Sequence, residues 1–256
     1  FFFKQKTAYE ISTRDWSSDV CSSDLRHGEK FDDETHRAGG FDVCNRHTLD
    51  ALDAWMALDV FARIVVCDGS EYDLSTDVGR LAAARHSSTL FECLSFRNDT
   101  TLVSRLGKGY GEGEIVRHAL DNSRFLADAD SFAKCTGKLW VSNAADCVRH
   151  YNGSAAFNLA GGLVPKYVDT RFYLCSRRLY DARLGDCHHS VDENHGQYLE
   201  HRFLDALQGT RLYRNAIFPT PVIHGISGSM GVEHRSSRIN HIVKNVRNVL
   251  LKSAGY

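Results

Sequence analysis

Several features are missing from this 256-residue sequence, and each absence excludes a class of protein. No apolar run approaches the roughly 20 residues that a membrane-spanning helix needs, so no transmembrane segment is expected. The formal net charge is -1, which gives no electrostatic reason to expect nucleic acid as a partner. No C-x-x-C motif occurs, which argues against a disulfide framework or a structural zinc cluster. The sequence therefore predicts a cytoplasmic protein with buried thiols.

The first 25 residues do not have the composition of a folded segment. Read back into codons, Asp19–Leu25 can be written GACGTGTGCTCTTCCGATCT, and Phe3–Ile11 can be written TTCAAGCAGAAGACGGCATACGAGAT. Both strings resemble the ends of a common sequencing-library adapter. We therefore expect residues 1–25 to be translated adapter that is disordered and lies outside the fold. Residues 26–40 are polar and glycine-rich and predict a frayed lead-in, which leaves the natural start of the protein open.

Residues 41–256 have the length and the patterns of a single α/β domain. The stretch FDVCNR, residues 41–46, predicts the end of a first strand, and it is open whether that strand is complete. Apolar residues then recur at helical spacing, and Phe61–Cys67 is a short apolar run typical of a buried strand. Strand, helix and strand in this order predict a mostly parallel sheet flanked by helices.

Two later segments have clear helical patterns. A glycine-rich stretch that begins at residue 107 predicts a loop that leads into a helix. Glu112 and Glu114 would lie in its first turn, where they complement the helix dipole, and the helix has one apolar face: Ile115, Val116, Ala119 and Leu120. The chain closes with a strongly amphipathic helix, whose apolar residues share one face: Ile239, Ile242, Val243, Val246, Val249 and Leu250.

Three segments carry candidate chemistry. Asp68 and Gly69 follow the apolar strand, at the edge where open α/β sheets bind ligands, although a plain strand-ending turn has the same pattern. Lys108 and the glycines after it could approach a phosphate, although the spacing matches no P-loop or dinucleotide motif. The sequence FAKCTGKLWVSN, residues 132–143, predicts a turn with lysines near one sheet edge, or a simple hairpin with solvated lysines.

Together these segments resemble GT-A glycosyltransferases. The stretch FDVCNRHTLDALDAW followed by RIVVCDGSEYD is similar to the opening of that family, and GKGYGEGEIVRHALDNS followed by ADSFAKCTGKLWVSN is similar to GT-A-like proteins of polysaccharide clusters. The resemblance covers roughly residues 41–143 and implies a GT-A-like sheet. It further implies that residues 41–143 form the nucleotide-sugar-binding half and that residues 144–256 form the acceptor side.

The resemblance also implies roles for individual residues. The nucleotide-sugar-binding positions would be Asp68, Gly69, Lys108, Gly109, Gly111, Glu112, Lys134, Thr136 and Gly137. Thr136, Gly137 and Lys138 stand where many GT-A enzymes have a metal-binding Asp-x-Asp. Lys138, with Lys134, would then replace the metal in stabilising the leaving diphosphate, so no divalent metal is required. Lysine stands where the pattern prefers arginine, which keeps the charge but loses the bidentate fork.

Two further candidates come from the second half of the chain. Glu200 lies on the helix face away from Leu199 and Phe203, where it would act as the base for an acceptor hydroxyl or remain a surface glutamate. The stretch DCHHSVDENH, residues 186–195, has a metal-ligand composition but matches no zinc motif, which favours a solvated loop. We expect no metal site there.

The sequence therefore leads to one preferred interpretation and two alternatives. The preferred one is a glycosyltransferase that moves a sugar from a nucleotide-sugar donor to a glycan or lipid-linked acceptor. If the acceptor is lipid-linked, the protein would also make peripheral contact with a membrane. The first alternative is an inactive nucleotide-sugar-binding or scaffold protein, because a fold alone does not deliver activity. The second is another Rossmann-like transferase, such as a methyltransferase, against which stands the lack of a glycine-rich turn after FDVCNR.

Overall fold

The computed structural model describes residues 2–5, 10–12, 33–70, 72–162, 164–210, 212–226 and 238–253. Its strands are β1 (Phe2–Gln5), β2 (Glu10–Ser12), β3 (Phe61–Asp68), β4 (Leu90–Ser95), β5 (Ser131–Cys135), β6 (Leu139–Val141), β7 (Ala155–Ala160), β8 (Tyr167–Ser176) and β9 (Ile223–Gly225). Its α-helices are α1 (Asp33–Leu58), α2 (Ser75–Ala84), α3 (Thr100–Leu106), α4 (Lys108–Asn122), α5 (Ala144–Arg149), α6 (Arg177–Leu179), α7 (Leu199–Leu207) and α8 (Arg238–Ser253). Short 3₁₀ turns include Cys187–Ser190 and Glu193–His195.

The main sheet has the order β4-β3-β1-β5-β8-β7, with β2 paired to β1, and a separate small sheet joins β6 to β9. The α/β class is confirmed, but the prediction of a mostly parallel sheet is wrong, because among the described strands only β3 and β4 pair in parallel. The reason lies in two reversed strands. β1 is antiparallel to β3 and β5, and β8 is antiparallel to β5 and β7, which means that β3, β4, β5 and β7 all run in one direction.

The N-terminal segment is part of the sheet. Residues 2–5 pair with β5 through Phe2 and Phe3 and with β3 through Lys4 and Gln5. The prediction that residues 1–25 lie outside the fold is therefore wrong for β1 and β2. The physical reason is that β1 pairs with both β3 and β5, whose backbone N–H and C=O groups need partners. Phenylalanine favours extended backbone, so this short run suits a strand between β3 and β5.

The first helix begins earlier than the sequence predicts. Residues 41–46 lie inside α1 rather than in a strand, and residues 33–40 of the expected lead-in are helical too. Among the α1 residues whose side chains are described, the polar Asn45 and Thr48 are buried at helical spacing with Leu52 and Trp55. Because helix formation is cooperative, this buried face extends the helix toward the N-terminus.

Hydrophobic cores lie on both faces of the sheet. On one face Phe132, Phe157 and Tyr173 pack with residues of α4 and with Phe203 of α7. On the other face Phe172 packs with Trp55 of α1 and with the small β6–β9 region. The sheet thus separates an α4–α7 side from an α1 side.

Helix α8 turns its apolar face outward. Ile242, Val243, Val246, Val249 and Leu250 are each 50% to 63% exposed. The opposite face is polar and holds the helix in place: the buried Asn248 side chain donates to the carbonyl of Ile217 at 3.2 Å, and Arg247 donates to the carbonyls of Gly162 and Leu159 at 2.6 and 2.7 Å. The predicted amphipathic pattern is confirmed, with the apolar side facing solvent. Within the described chain, no helix is both long enough and apolar enough to span a membrane.

Six cysteines fall in the residues whose side chains are described, and all six are free thiols. Cys67, Cys135, Cys147 and Cys175 are buried, whereas Cys93 and Cys187 are half-buried. Burial raises the pKa of the Cys67 thiol to about 12, because the thiolate would lose its hydration. These cysteines therefore behave as small apolar side chains, as their spacing in the sequence predicted.

Candidate functional site

Two of the predicted binding residues, Asp68 and Thr136, lie at the same edge of the main sheet. Asp68 is the last residue of β3, and Thr136 directly follows β5. Since β3 and β5 run in the same direction, both residues lie at the carboxyl edge, with β1 between their strands. Two strand spacings amount to about 10 Å, which is within the span of a bound nucleotide-sized molecule. The topology therefore places Asp68 and Thr136 at the same edge of the sheet.

Asp68 is buried and fixes the turn that ends β3. Its Oδ1 atom accepts hydrogen bonds from the backbone N–H and the hydroxyl of Ser70, both at 2.7 Å. Gly69 next to it lies against the buried side chain of Asn98, because a Cβ at Gly69 would come within 2.6 Å of Asn98 Nδ2. Asp68 and Gly69 therefore form the turn that ends β3.

The glycine-rich segment is helical from Lys108 onward, so the prediction of a loop before Glu112 is wrong, whereas Glu112 and Glu114 are helical as expected. The glycines allow neighbouring elements to approach α4: a Cβ at Gly109 would lie 2.8 Å from Leu199 Cβ, and one at Gly111 would lie 3.0 Å from Val103. The N–H of Gly109 donates to the carboxylate of Glu193 at 2.8 Å. A phosphate would have to displace Glu193 to reach this N–H group.

Three of the predicted residues come together in a buried cluster on the α4–α7 side. The Lys134 ammonium has no solvent exposure, and it donates to the Glu112 carboxylate, to Thr136 Oγ1 at 2.8 Å and to the Thr170 carbonyl at 3.0 Å. Three acceptors match the three ammonium hydrogens, and the carboxylate balances the charge. The charge of Lys134 is thus balanced by Glu112 inside the fold. The side chain does not extend into solvent, contrary to the expectation of a lysine at the sheet edge.

Glu200 lies beside this cluster, in the first turn of α7. It is half-buried, and its Oε1 atom accepts a hydrogen bond from the Thr170 hydroxyl at 3.4 Å. Burial, together with the negative charge of Glu112, raises the pKa of Glu200 to about 7. A carboxyl group with such a pKa can exchange a proton near neutral pH, which is what a general base or acid requires.

Lys138 occupies the turn between β5 and β6. Its backbone has a left-handed φ of 68°, and the side chain is buried. It lies near enough to His47 of α1 for its charge to add to the effect of burial in lowering the pKa of that histidine. The described hydrogen bonds that connect Glu112, Thr136 and Glu200 run through Lys134 and Thr170.

Sequence reasoning did not find the β8 residues of this site. Thr170 bridges Lys134 and Glu200, while Asp169 accepts from Arg171 at 2.6 and 2.8 Å and from Asn158 at 2.9 Å. Burial alone would raise the pKa of Asp169, but the Arg171 guanidinium holds it below its usual range. The only signal in the sequence is the alternating charge in DTR, which has no specificity by itself.

The geometry therefore supplies a half-buried acid, a lysine whose charge is balanced by a carboxylate, and a sheet edge at which Asp68 and Thr136 lie.

Comparison of the chain with models of known protein families gave no match, and a search among curated proteins gave none either.

Proposed function

We propose that this protein is a GT-A-type glycosyltransferase that transfers a sugar from a nucleotide-sugar donor to a hydroxyl of a glycan or lipid-linked acceptor. The observation that carries the proposal is Glu200, a half-buried carboxyl with a pKa of about 7 beside an ion pair near the carboxyl edge of the sheet. Its role would be to remove the proton from the acceptor hydroxyl as that oxygen attacks the sugar.

The direction of the strands supports the same proposal. β3, β4, β5 and β7 run one way, while β8 between β5 and β7 runs the other way, and β1 belongs to the segment that resembles adapter. The carboxyl edge of such a sheet is where α/β proteins bind their ligands. In the family pattern, the residue at the position of Asp68, at the end of β3, would hold the base or ribose of the donor.

The proposed roles of the two lysines differ. Lys134 is fully buried and bound to Glu112, so we assign it a positioning role: it fixes the carboxylate whose charge raises the pKa of Glu200. The developing charge of the leaving nucleoside diphosphate then requires another cation, and Lys138 in the turn after β5 is the candidate. On this proposal transfer needs no divalent metal.

One observation favours the alternative of a binding or scaffold protein without turnover. The helix N-terminus that would meet a phosphate is already capped by Glu193, through the N–H of Gly109. A donor that binds without displacing Glu193 would lack this stabilisation of the leaving group.

Donor titration separates these two functions. UDP-, GDP- and CMP-sugars are titrated into the protein by calorimetry, and transfer or hydrolysis is followed by release of the nucleotide. We expect binding with turnover for one donor, and the Glu200→Gln variant should bind that donor equally well but lose most of the turnover. Asp205→Asn, a half-exposed carboxylate change on the same helix, is the matched control and should retain the rate.

Each outcome has a defined meaning. Binding without turnover in the unmodified protein would support the scaffold alternative. Full turnover in Glu200→Gln would remove Glu200 from the mechanism, and the absence of binding by any of the three donor classes would contradict the proposed function.

A further inference from the structure

We propose that Glu114, His188 and His189 form a binding site for a divalent transition metal such as Zn²⁺. One oxygen of Glu114 and one nitrogen of each histidine all lie within 4.8 Å of one another. The Glu114 carboxylate is 2.6 Å from Nε2 of His188 and 3.6 Å from Nε2 of His189. Ligand atoms around a tetrahedral zinc ion are about 3.3 Å apart, so small side-chain rotations are enough to admit the ion.

The fold builds this cluster from two elements distant in sequence. His188 and His189 lie on the 3₁₀ turn Cys187–Ser190, which packs directly on α4. The contact is close because residue 113 is glycine: a Cβ there would lie 2.2 Å from the Cβ of His188. Glu114 follows that glycine, which brings its carboxylate to both imidazoles. Composition alone favoured a solvated loop here, but in the structure the turn Cys187–Ser190 packs against α4.

The residue types and their exposure fit a metal with an open coordination position. Two imidazoles and one carboxylate are ligands that zinc and its neighbours in the first transition row accept. The His188 side chain is 1% exposed, that of Glu114 is 28% exposed and that of His189 is 49% exposed. One side of the site is therefore dry, and the other side admits an ion and a water ligand from solvent.

A second carboxylate, that of Asp186, lies near the exposed His189. Asp186 Oδ1 lies 3.8 Å from Nδ1 of His189, and Arg117 holds the same oxygen at 2.5 Å. If His189 binds metal through Nε2, its Nδ1–H faces this carboxylate, and a small side-chain shift from 3.8 Å would form the outer-shell hydrogen bond that orients many metal-binding histidines. His188 lacks the equivalent support, because its buried Nδ1 has no partner among the described protein groups. We therefore expect an affinity about 10- to 100-fold weaker than that of a site in which both histidines have an outer-shell partner.

This site is separate from the proposed catalytic cluster. Glu112 and Glu114 are two residues apart on α4, and a helix directs such residues to different sides. Glu112 contacts Lys134, whereas Glu114 contacts His188. The proposal therefore does not rest on the glycosyltransferase function, and it leaves transfer itself independent of metal.

Cobalt titration of the full chain tests the site. The protein is first treated with chelator and dialysed, and Co²⁺ is then added while visible absorption is recorded, with Zn²⁺ as the competitor. We expect one equivalent of Co²⁺ per chain with the intense bands of a low-coordinate site, and displacement by Zn²⁺. His189→Ala and Glu114→Gln should each weaken binding by about tenfold or more, while circular dichroism stays unchanged.

The matched control is His195→Ala. His195 is exposed, belongs to the same loop and pairs with Asp192 at 2.7 Å, but it is not one of the three clustered ligands. Its loss should leave cobalt affinity and spectrum unchanged. The proposal is overturned if the unmodified protein binds no stoichiometric cobalt, if His189→Ala binds as tightly as the unmodified chain, or if His195→Ala weakens binding as much as His189→Ala does.

Discussion

Replacing Glu200 with glutamine should change how the stability of the protein depends on pH. Burial and the charge of Glu112 raise the pKa of Glu200 from 4.5 to about 7 in the folded state. A carboxyl with a raised pKa favours its neutral form. Its contribution to stability is therefore fully present below pH 4.5 and is lost as the pH rises toward and through 7. Glutamine has no charge to lose, so the variant should not show this loss.

The size of the effect follows from the pKa. Each tenfold difference in proton affinity is worth about 1.4 kcal/mol, so ionising Glu200 in the folded protein costs roughly 3 kcal/mol. Because the side chain is partly open to solvent, screening reduces this to roughly 2 to 3 kcal/mol. A free energy of unfolding is commonly only about 5 to 15 kcal/mol, so such a cost is readily measured.

Urea unfolding of both proteins between pH 4.5 and 8 measures the difference. Near pH 4.5 the unmodified chain and Glu200→Gln should have similar free energies of unfolding, and by pH 8 the variant should be more stable by roughly 2 to 3 kcal/mol. Taking the difference between the two proteins cancels the titration of groups they share. A difference that stays flat across this range, or that falls with pH, would refute the assignment of a raised pKa to Glu200.

Three further predictions follow from the fold and the site. Deleting residues 1–12 removes β1, which pairs with β3 and β5, and should lower the urea midpoint, because each backbone hydrogen bond lost costs about 1 kcal/mol; an unchanged urea midpoint would show that β1 adds nothing. Lys134→Met leaves the buried Glu112 carboxylate without its cation and should cost about 3 to 5 kcal/mol, while adding Glu112→Gln should recover much of the loss in the same assay; no recovery would argue against a charge effect. Nucleotide release should survive EDTA, and Lys138→Ala should raise the barrier by about 2 to 4 kcal/mol, with Lys138→Arg tolerated; an active alanine variant would remove Lys138 from the mechanism.

Regular apolar patterns made part of this fold predictable. The run Phe61–Cys67 predicted β3, and the spacing of Leu49, Leu52 and Trp55 predicted a helix there. The start of that helix was not predictable, because its buried face continues through Asn45 and Thr48, whose polar side chains resemble surface residues. The insertion of β1 was not predictable either, since strand pairing depends on contacts that are distant in sequence.

The candidate site was predictable only for residues that lie in segments with a recognisable sequence pattern. Glu112, Lys134 and Thr136 were expected near one another, and they share hydrogen bonds through the Lys134 ammonium. Thr170 could not be found, because it reaches Lys134 through the register between β5 and β8. The glycines of α4 gave a misleading signal, since close packing of elements and approach to a phosphate need the same absence of a side chain.

Helix α8 reverses the usual expectation for amino-acid substitutions. Its polar residues, Asn248 and Arg247, hold it to the body of the protein, while its valines and leucine face water. Changing Asn248 to leucine, which hydrophobicity scales would score as favourable for a helix interior, breaks an anchor and leaves the buried carbonyl of Ile217 without its donor. Changing Val246 to glutamate removes no described anchor. Variation along this helix therefore has to be judged by which face a residue occupies, because polarity alone predicts the wrong sign.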